Sequence, residues 1–213
     1  MKKSVYSLVL SDTVINEIDK AAYNMNTSRS NLINQILADY VSYVTPEKRM
    51  QEVFNSIEAL LDKTRSFQIM IQPSDSMFSL RSALDYKYNP TVRYSVELYK
   101  DESDCLGELR VTLRSQNTNL ILCMVSFFNL WSKIEYAYTG KADYICSNGK
   151  YIKKLRLSSK NLSNNDIGKA IAAYIDTIDK ALKTYFTNLD KPTAASEIEK
   201  IYTNYLKSNG MII

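Results

Sequence analysis

The sequence contains no histidine, and glycine, proline and cysteine are scarce, with five, four and three residues among 213. Without histidine, a Ser-His-acid triad, a Cys-His pair and a histidine-ligated metal site are all excluded. The chain has no Walker loop and no Rossmann glycine pattern. Its carboxylate pairs, such as Asp101 with Glu102, fall in turns or on helix surfaces, where acids are normally solvated. We therefore expect neither an enzyme nor a cofactor.

The cysteine count and the start of the chain predict a compartment. The chain has an odd number of cysteines, and their spacing is not that of metal ligands: Cys105, Cys123 and Cys146. Met1-Lys2-Lys3 is not followed by the apolar core of a signal peptide, and the apolar run at residues 120–131 is too short for a bilayer. These features predict a reduced, cytoplasmic protein without a membrane segment. Abundant Lys, Asn, Ile and Tyr are typical of a low-GC bacterium or its mobile elements.

The first 44 residues change from strand periodicity to helix periodicity. Side chains alternate over residues 5–10, so that one face of a strand carries Tyr6, Leu8 and Leu10. Apolar residues then recur at three- and four-residue steps in two short stretches, which predicts two amphipathic helices. A strand this short cannot bury its own face. We expect a twofold dimer in which two N-terminal strands pair antiparallel over four helices.

This order of elements is carried by the segment LSDTVINEIDKAAYNMNTSRSNLINQILADY. It resembles the ribbon-helix-helix (MetJ/Arc/CopG-like) DNA-binding family, and the resemblance covers about residues 2–44. Ser11 is placed to cap the first helix. Family members commonly have glycine near Asn26, and asparagine is the residue that best replaces glycine in a left-handed backbone conformation.

The resemblance implies a DNA interface. In the family the paired strands enter the major groove, and the start of the second helix holds a phosphate. Carried over to this chain, the DNA-binding residues are Lys2, Lys3, Val5, Ser7, Val9, Ser28, Arg29 and Ser30. Of the outward strand residues only Ser7 can exchange hydrogen bonds with base edges. Residues 1–45 contain four basic and four acidic side chains, so a module that only dimerises remains the alternative.

The remaining residues predict a second domain with an antiparallel sheet. Thr45-Pro46-Glu47 begins a helix that reaches about Thr64, which divides the chain into domains 1–45 and 46–213. Strands are expected at residues 66–71, 78–88, 92–99 and 106–113. Residues 120–131 suit a buried helix, which we favour, or a core strand. Asn148-Gly149 predicts a hairpin, and two helices are expected over residues 163–186 and 193–206.

A cluster of positive charge lies near the hairpin. Five basic residues fall within eleven positions without an intervening acid: Lys150, Lys153, Lys154, Arg156 and Lys160. On one strand or hairpin they would form a basic ridge for a nucleic-acid backbone or an acidic protein. The alternative is an edge strand on which lysines only prevent aggregation.

We interpret the chain as an α+β protein with an N-terminal ribbon-helix-helix dimerisation module. An antiparallel-sheet domain with C-terminal helices follows, and it senses, oligomerises or binds a protein partner. The expected partners are double-stranded DNA and a second copy of the chain. The expected role is transcriptional regulation or a plasmid or phage accessory function, such as partition or relaxosome assembly. The alternative is a protein-interaction factor, for example a phage or mobile-element inhibitor, in which the ribbon serves only for dimerisation.

Overall fold

The computed structural model describes residues 5–71, 74–100, 105–147, 149–156, 162–189 and 191–208. The chain divides into two compact units, Met1–Arg49 and Met50–Ile213, here called the N-terminal and C-terminal units. Together they contain six α-helices, one short 3₁₀ helix (Asp62–Thr64) and six strands within the described residues. The protein is therefore α+β.

Two short helices make up most of the N-terminal unit. Helix α1 spans Asp12–Asn24, and α2 spans Arg29–Tyr40. A third helix, α3, spans Pro46–Leu61, and the Thr45 hydroxyl accepts a hydrogen bond from the Lys48 amide (3.2 Å). The helix start predicted at Thr45-Pro46-Glu47 is thus confirmed, with Thr45 as its N-cap. Ser11 has the extended backbone of an N-cap, but its side chain makes no capping hydrogen bond, so that part of the prediction is wrong.

The predicted N-terminal strand is not formed in the single chain. Residues 5–11 adopt no regular secondary structure, and the first element is α1. Within the single chain this segment pairs with no other strand, and an isolated extended segment leaves its amide and carbonyl groups to water. A ribbon at this position would require a second copy of the chain.

The C-terminal unit is built on one antiparallel sheet. Its strands are β1 (Phe67–Ile69), β2 (Met77–Ala83), β3 (Thr91–Leu98), β4 (Gly107–Leu113), β5 (Tyr144–Ser147) and β6 (Lys150–Leu155). They lie in the order β1-β2-β3-β4-β6-β5. The predicted antiparallel sheet is confirmed, although β2 ends five residues before the expected end.

Three further helices follow or interrupt the sheet. They are α4 (Thr118–Thr139), α5 (Asn164–Thr187) and α6 (Ala194–Ser208). The Ser163 hydroxyl caps α5 by accepting from the Asp166 amide (3.2 Å). The predicted hairpin joins β5 to β6, and Gly149 in its turn has φ 71°, a left-handed conformation that suits glycine. Its other turn residue, Asn148, lies outside the described residues.

One face of the sheet is covered, and the other is open. The covered face packs on the helices through a continuous apolar core, to which β2, β3 and β4 contribute Phe78, Leu80, Val92, Tyr94, Val96, Leu98, Leu109 and Val111. The opposite face is mostly polar, because side chains alternate along each strand. The C-terminal unit therefore has two layers, with helices on one side of the sheet.

The apolar run at residues 120–131 is part of α4, so the favoured helix is confirmed. Among the described helices, α4 is the only one whose length and composition would reach across a bilayer. Eight of its side chains are buried in the C-terminal unit, including Phe127, Phe128 and Trp131. Burial of this kind is typical of the central helix of a globular core.

Candidate nucleic-acid interface

The turn between α1 and α2 has a well-defined geometry. The Thr27 amide donates to the Ala22 carbonyl (2.9 Å) and the Asn26 amide to the Tyr23 carbonyl (3.1 Å). This pattern is a Schellman motif, whose central residue takes the left-handed conformation. Asn26 occupies that position with φ 50°. The left-handed asparagine predicted from the sequence is therefore confirmed.

The first turn of α2 presents backbone amides at the end of a helix. The Ser28 hydroxyl accepts from the Asn31 amide (3.3 Å), which satisfies one of the free donors. Arg29 and Ser30, both exposed, follow at the first two helical positions. Unpaired amides and the positive end of the helix dipole favour an anion at such a position. Ser28, Arg29 and Ser30 thus lie together at the start of α2.

The Arg29 side chain is already bound to a carboxylate. Its Nε donates to Oδ1 of Asp19 in α1 (2.6 Å), and its Nη2 donates to Oδ2. Hydrogen bonding to Arg29 lowers the pKa of Asp19, and the attraction between the two charges adds to this effect. Both side chains are about half exposed, so the pair is screened by solvent. Asp19 therefore competes with any phosphate for the guanidinium.

The outward strand residues are fully available to a partner. Val5 and Val9 are completely exposed, and Ser7 is exposed between them. Lys2 and Lys3 lie outside the described residues. The N-terminal unit thus brings Ser28, Arg29 and Ser30 together, whereas Val5, Ser7 and Val9 lie on an extended segment that has no strand partner in the single chain.

The N-terminal unit has almost no core of its own. Between residues 5 and 44 only Ala22, Leu32 and Ala38 are buried among the apolar side chains. Large apolar side chains from the segment and from both helices are exposed instead: Tyr6, Leu8, Leu10, Val14, Ile36, Leu37 and Tyr40. Two helices with three buried side chains are too little for independent stability.

The predicted basic ridge near the hairpin is wrong for Lys153, which faces the core. Only 6% of Lys153 is exposed, and its Nζ binds Oε1 of Glu135 in α4 (2.9 Å). Alternation along β6 turns Lys153 inward with Tyr151 and Leu155, and Lys150 and Lys154 outward. The edge-strand alternative is also wrong, because β6 lies between β4 and β5.

The other members of the predicted ridge are separated as well. Arg156 Nε donates to Oδ1 of Asp143 (2.9 Å), and Lys160 lies outside the described residues. Lys150 and Lys154 are exposed on the open face of the sheet. Of the predicted ridge, β6 therefore presents two positive charges, Lys150 and Lys154, on the surface of the sheet.

Glu135 is the centre of a buried polar cluster that the sequence did not reveal. Its carboxylate accepts hydrogen bonds from Tyr151 Oη and from Tyr174 Oη (2.8 Å), in addition to the Lys153 ammonium. Trp131 Nε1 donates to Tyr174 Oη (2.9 Å). The sequence held one indication of this cluster: on β6, Lys153 shares its face with Tyr151 and Leu155. Three donors thus satisfy the buried Glu135 carboxylate within the core.

A second buried carboxylate lies elsewhere in the same core. Asp179 of α5 accepts from Tyr94 Oη (2.9 Å) and pairs with Lys183 Nζ (2.7 Å). Burial raises the pKa of Tyr94 well above its ordinary value, and the Asp179 charge adds to the rise. Each carboxylate thus joins a helix to the sheet: Glu135 joins α4 to β6, and Asp179 joins α5 to β3.

The described residues contain no group of three metal-binding side chains. The three cysteines are free and partly buried. Burial raises the pKa of Cys146, which disfavours the reactive thiolate. Comparison of the chain with protein-family models, curated proteins and solved structures found no match.

Proposed function

We propose that the protein is a cytoplasmic, dimeric DNA-binding protein of the ribbon-helix-helix type. Its role would be a transcriptional regulator or a plasmid or phage accessory factor, and no catalytic activity is assigned to it. The observation that carries the proposal is the missing core of the N-terminal unit. An exposed extended segment and two helices leave Leu8, Val14 and Ile36 uncovered, and a second copy would bury them.

The turn geometry supports the same proposal. The left-handed Asn26 closes α1 where the family has glycine, and Ser28 caps α2. The resulting helix start offers amides and hydroxyls to a phosphate. On pairing of two copies, residues 5, 7 and 9 of each strand would face the major groove.

A second candidate function is a protein-interaction factor that uses the N-terminal unit only to dimerise. Two observations favour it: Val5 and Val9 carry no hydrogen-bonding group for base edges, and Arg29 is bound by Asp19. The C-terminal unit would then carry the activity. The two functions differ in whether the full chain binds duplex DNA through its N-terminal unit.

The deciding experiment measures binding of the full chain to the DNA directly upstream of its own gene and to a random duplex of equal length. We expect both duplexes to bind at low salt, with the upstream DNA bound more tightly. Ser7→Ala should cost about 1–3 kcal/mol of that preference, because Ser7 is the outward side chain with hydrogen-bonding capacity. Ser196→Ala, an exposed serine on α6, is the matched control and should leave it unchanged. If neither duplex binds at low salt, the interaction factor replaces this proposal.

A further inference from the structure

The open face of the sheet carries a continuous polar row that crosses all six strands. Cross-strand register places Gln68 beside Arg81, Arg81 beside Arg93 and Arg93 beside Thr112. The row continues from Thr112 to Lys150 and from Lys150 to Ser147. Strands lie about 4.8 Å apart, so Arg81 and Lys150 are separated by roughly 14 Å. We call these six residues the basic row.

The basic row contains no acid, and its charges are not neutralised within the described residues. Arg81 Nε donates to Gln68 Oε1 (2.8 Å), and Arg93 Nη2 donates to Ser79 Oγ (3.3 Å). The Nε of Arg93 is buried without a hydrogen-bond partner. Lys150, next to Ser147 at the other end of the row, is exposed. Three positive charges therefore face solvent or one another.

The acids of this face are bound elsewhere. Arg110, two residues along β4 from Thr112, pairs with Glu97 (2.9 Å) and with Glu108. Glu108 also accepts from Tyr99 Oη (3.1 Å). Besides the basic row, the open face thus carries a mixed-charge region around Arg110 and the paired Ile145 and Ile152.

Opposite placement of Arg81 and Arg93 is unfavourable for the sheet by itself. Like charges directly across two strands destabilise their pairing. An anion bound between them would remove this repulsion. The row is therefore better matched to a bound anionic partner than to water alone.

The chemistry of the row favours phosphate over an acidic protein. Arginine, lysine, serine, threonine and glutamine are the side chains that contact nucleic-acid phosphates. Protein interfaces depend on buried aromatic or apolar anchors, and none of the six residues is apolar. The row also has no aromatic ring on which a base could stack. The row would therefore contact the sugar-phosphate backbone, and these contacts would not depend on the base sequence.

We propose that the basic row binds the phosphate backbone of duplex DNA. The choice of DNA rests on the proposed function, whereas the phosphate chemistry rests on the row alone. The C-terminal unit would then add sequence-independent affinity to whatever specificity the N-terminal unit provides.

The test compares two triple variants of the full chain on a random duplex over a salt series. Arg81→Gln/Arg93→Gln/Lys150→Gln removes the charges of the row. Lys169→Gln/Lys180→Gln/Lys207→Gln removes three exposed lysines on helices and is the matched control. We expect the row variant to weaken binding and to reduce the slope of log K against log salt by about 0.9 for each phosphate that it no longer neutralises. The control should change the slope by less than half of that amount.

Folding of the row variant is checked by circular dichroism. Its unfolding free energy should be no lower than that of the wild type, because the Arg81–Arg93 repulsion is gone. If it fails to fold, Lys150→Gln alone replaces it and should reduce the slope by about 0.9, the value for one phosphate. A slope equal to that of the wild type overturns the inference. The inference is also overturned if the row variant binds DNA as the wild type does but no longer binds poly-glutamate. That result would assign the row to an acidic protein.

The same measurements separate this inference from the proposed function. Deletion of residues 1–10 removes the segment assigned to the groove. If the deletion abolishes preference for the upstream DNA while the row variant keeps the wild-type slope, only the row is wrongly assigned. If the row variant loses affinity while the deletion changes neither affinity nor preference, the ribbon function is wrong and the row stands.

Discussion

The guanidinium of Arg29 is bound by both carboxylate oxygens of Asp19. Arg29 is the first residue of α2, and Asp19 lies in α1, so the pair ties the two helices of the N-terminal unit together. It also places an acid beside the helix start that we propose for phosphate binding. If the N-terminal unit binds DNA as proposed, the pair would link the stability of this unit to that binding.

Release of Arg29 should strengthen DNA binding. In Asp19→Asn the guanidinium becomes available to phosphate, so we expect higher affinity for all duplexes and a salt slope steeper by about 0.9 for each additional phosphate neutralised. Asp39→Asn is the matched control, because it removes the same charge from an exposed acid of α2 that pairs with Lys48. Equal gains in the two variants would show that net charge, and not Arg29, is responsible.

The proposed dimer predicts different effects for the two faces of the N-terminal segment. Leu8→Asp places a charge on the face that would cover the helices, and it should shift the chain to monomer in sedimentation equilibrium. Val9→Asp adds the same charge on the outward face and should leave the dimer intact. A dimer that survives Leu8→Asp would place the contact between copies elsewhere in the chain.

Loss of Lys153 should destabilise the C-terminal unit strongly. Lys153→Ala leaves Glu135 as a buried anion without its cation, which costs about 3–5 kcal/mol of unfolding free energy. Lys154→Ala, the exposed neighbour, should change it by less than about 0.5 kcal/mol. Fluorescence of Trp131, the single tryptophan, monitors denaturant unfolding within the same cluster. Similar midpoints for the two variants would contradict the role assigned to the ion pair.

Glu135 and Lys153 should also be coupled. The double variant Glu135→Gln/Lys153→Met removes both charges, keeps an acceptor for the tyrosines and retains the length of the lysine stem. It should recover part of the stability that Lys153→Ala removes, because no uncompensated charge remains.

The buried tyrosines of the C-terminal unit predict that the protein unfolds at alkaline pH. Burial raises the pKa of Tyr94, Tyr151 and Tyr174, and the nearby carboxylates of Asp179 or Glu135 add to the rise. Burial likewise raises the pKa of Tyr99 to about 12. Since the folded pKa values exceed the ordinary tyrosine value of 10.0, their stabilisation is complete below pH 10 and is lost as the pH rises above it.

Ionisation of the three core tyrosines should coincide with unfolding. We expect the late phase of phenolate absorbance and the change in Trp131 fluorescence to occur together in an alkaline titration. Phenolate formation by every tyrosine while Trp131 keeps its native emission would show that the cluster is not closed to water.

The local sequence determined several features that depend on a few consecutive residues, although Ser11 makes no capping hydrogen bond. Thr45 and Ser163 cap helices because a hydroxyl next to a helix start reaches a free amide. Asn26 turns the chain after α1 because its backbone tolerates the left-handed conformation, and Gly149 turns the hairpin for the same reason. These positions were predictable because their interactions lie within three or four residues.

Only the tertiary structure decided which charged residues meet. Lys153 became a core residue because β6 pairs between β4 and β5, and this pairing aims it at Glu135 of α4, eighteen positions away. Likewise, Arg81, Arg93 and Lys150 form one row through the register of four strands. The order of basic residues along the chain cannot show this, because strand register and sheet order set side-chain neighbours over distances that local periodicity does not reach.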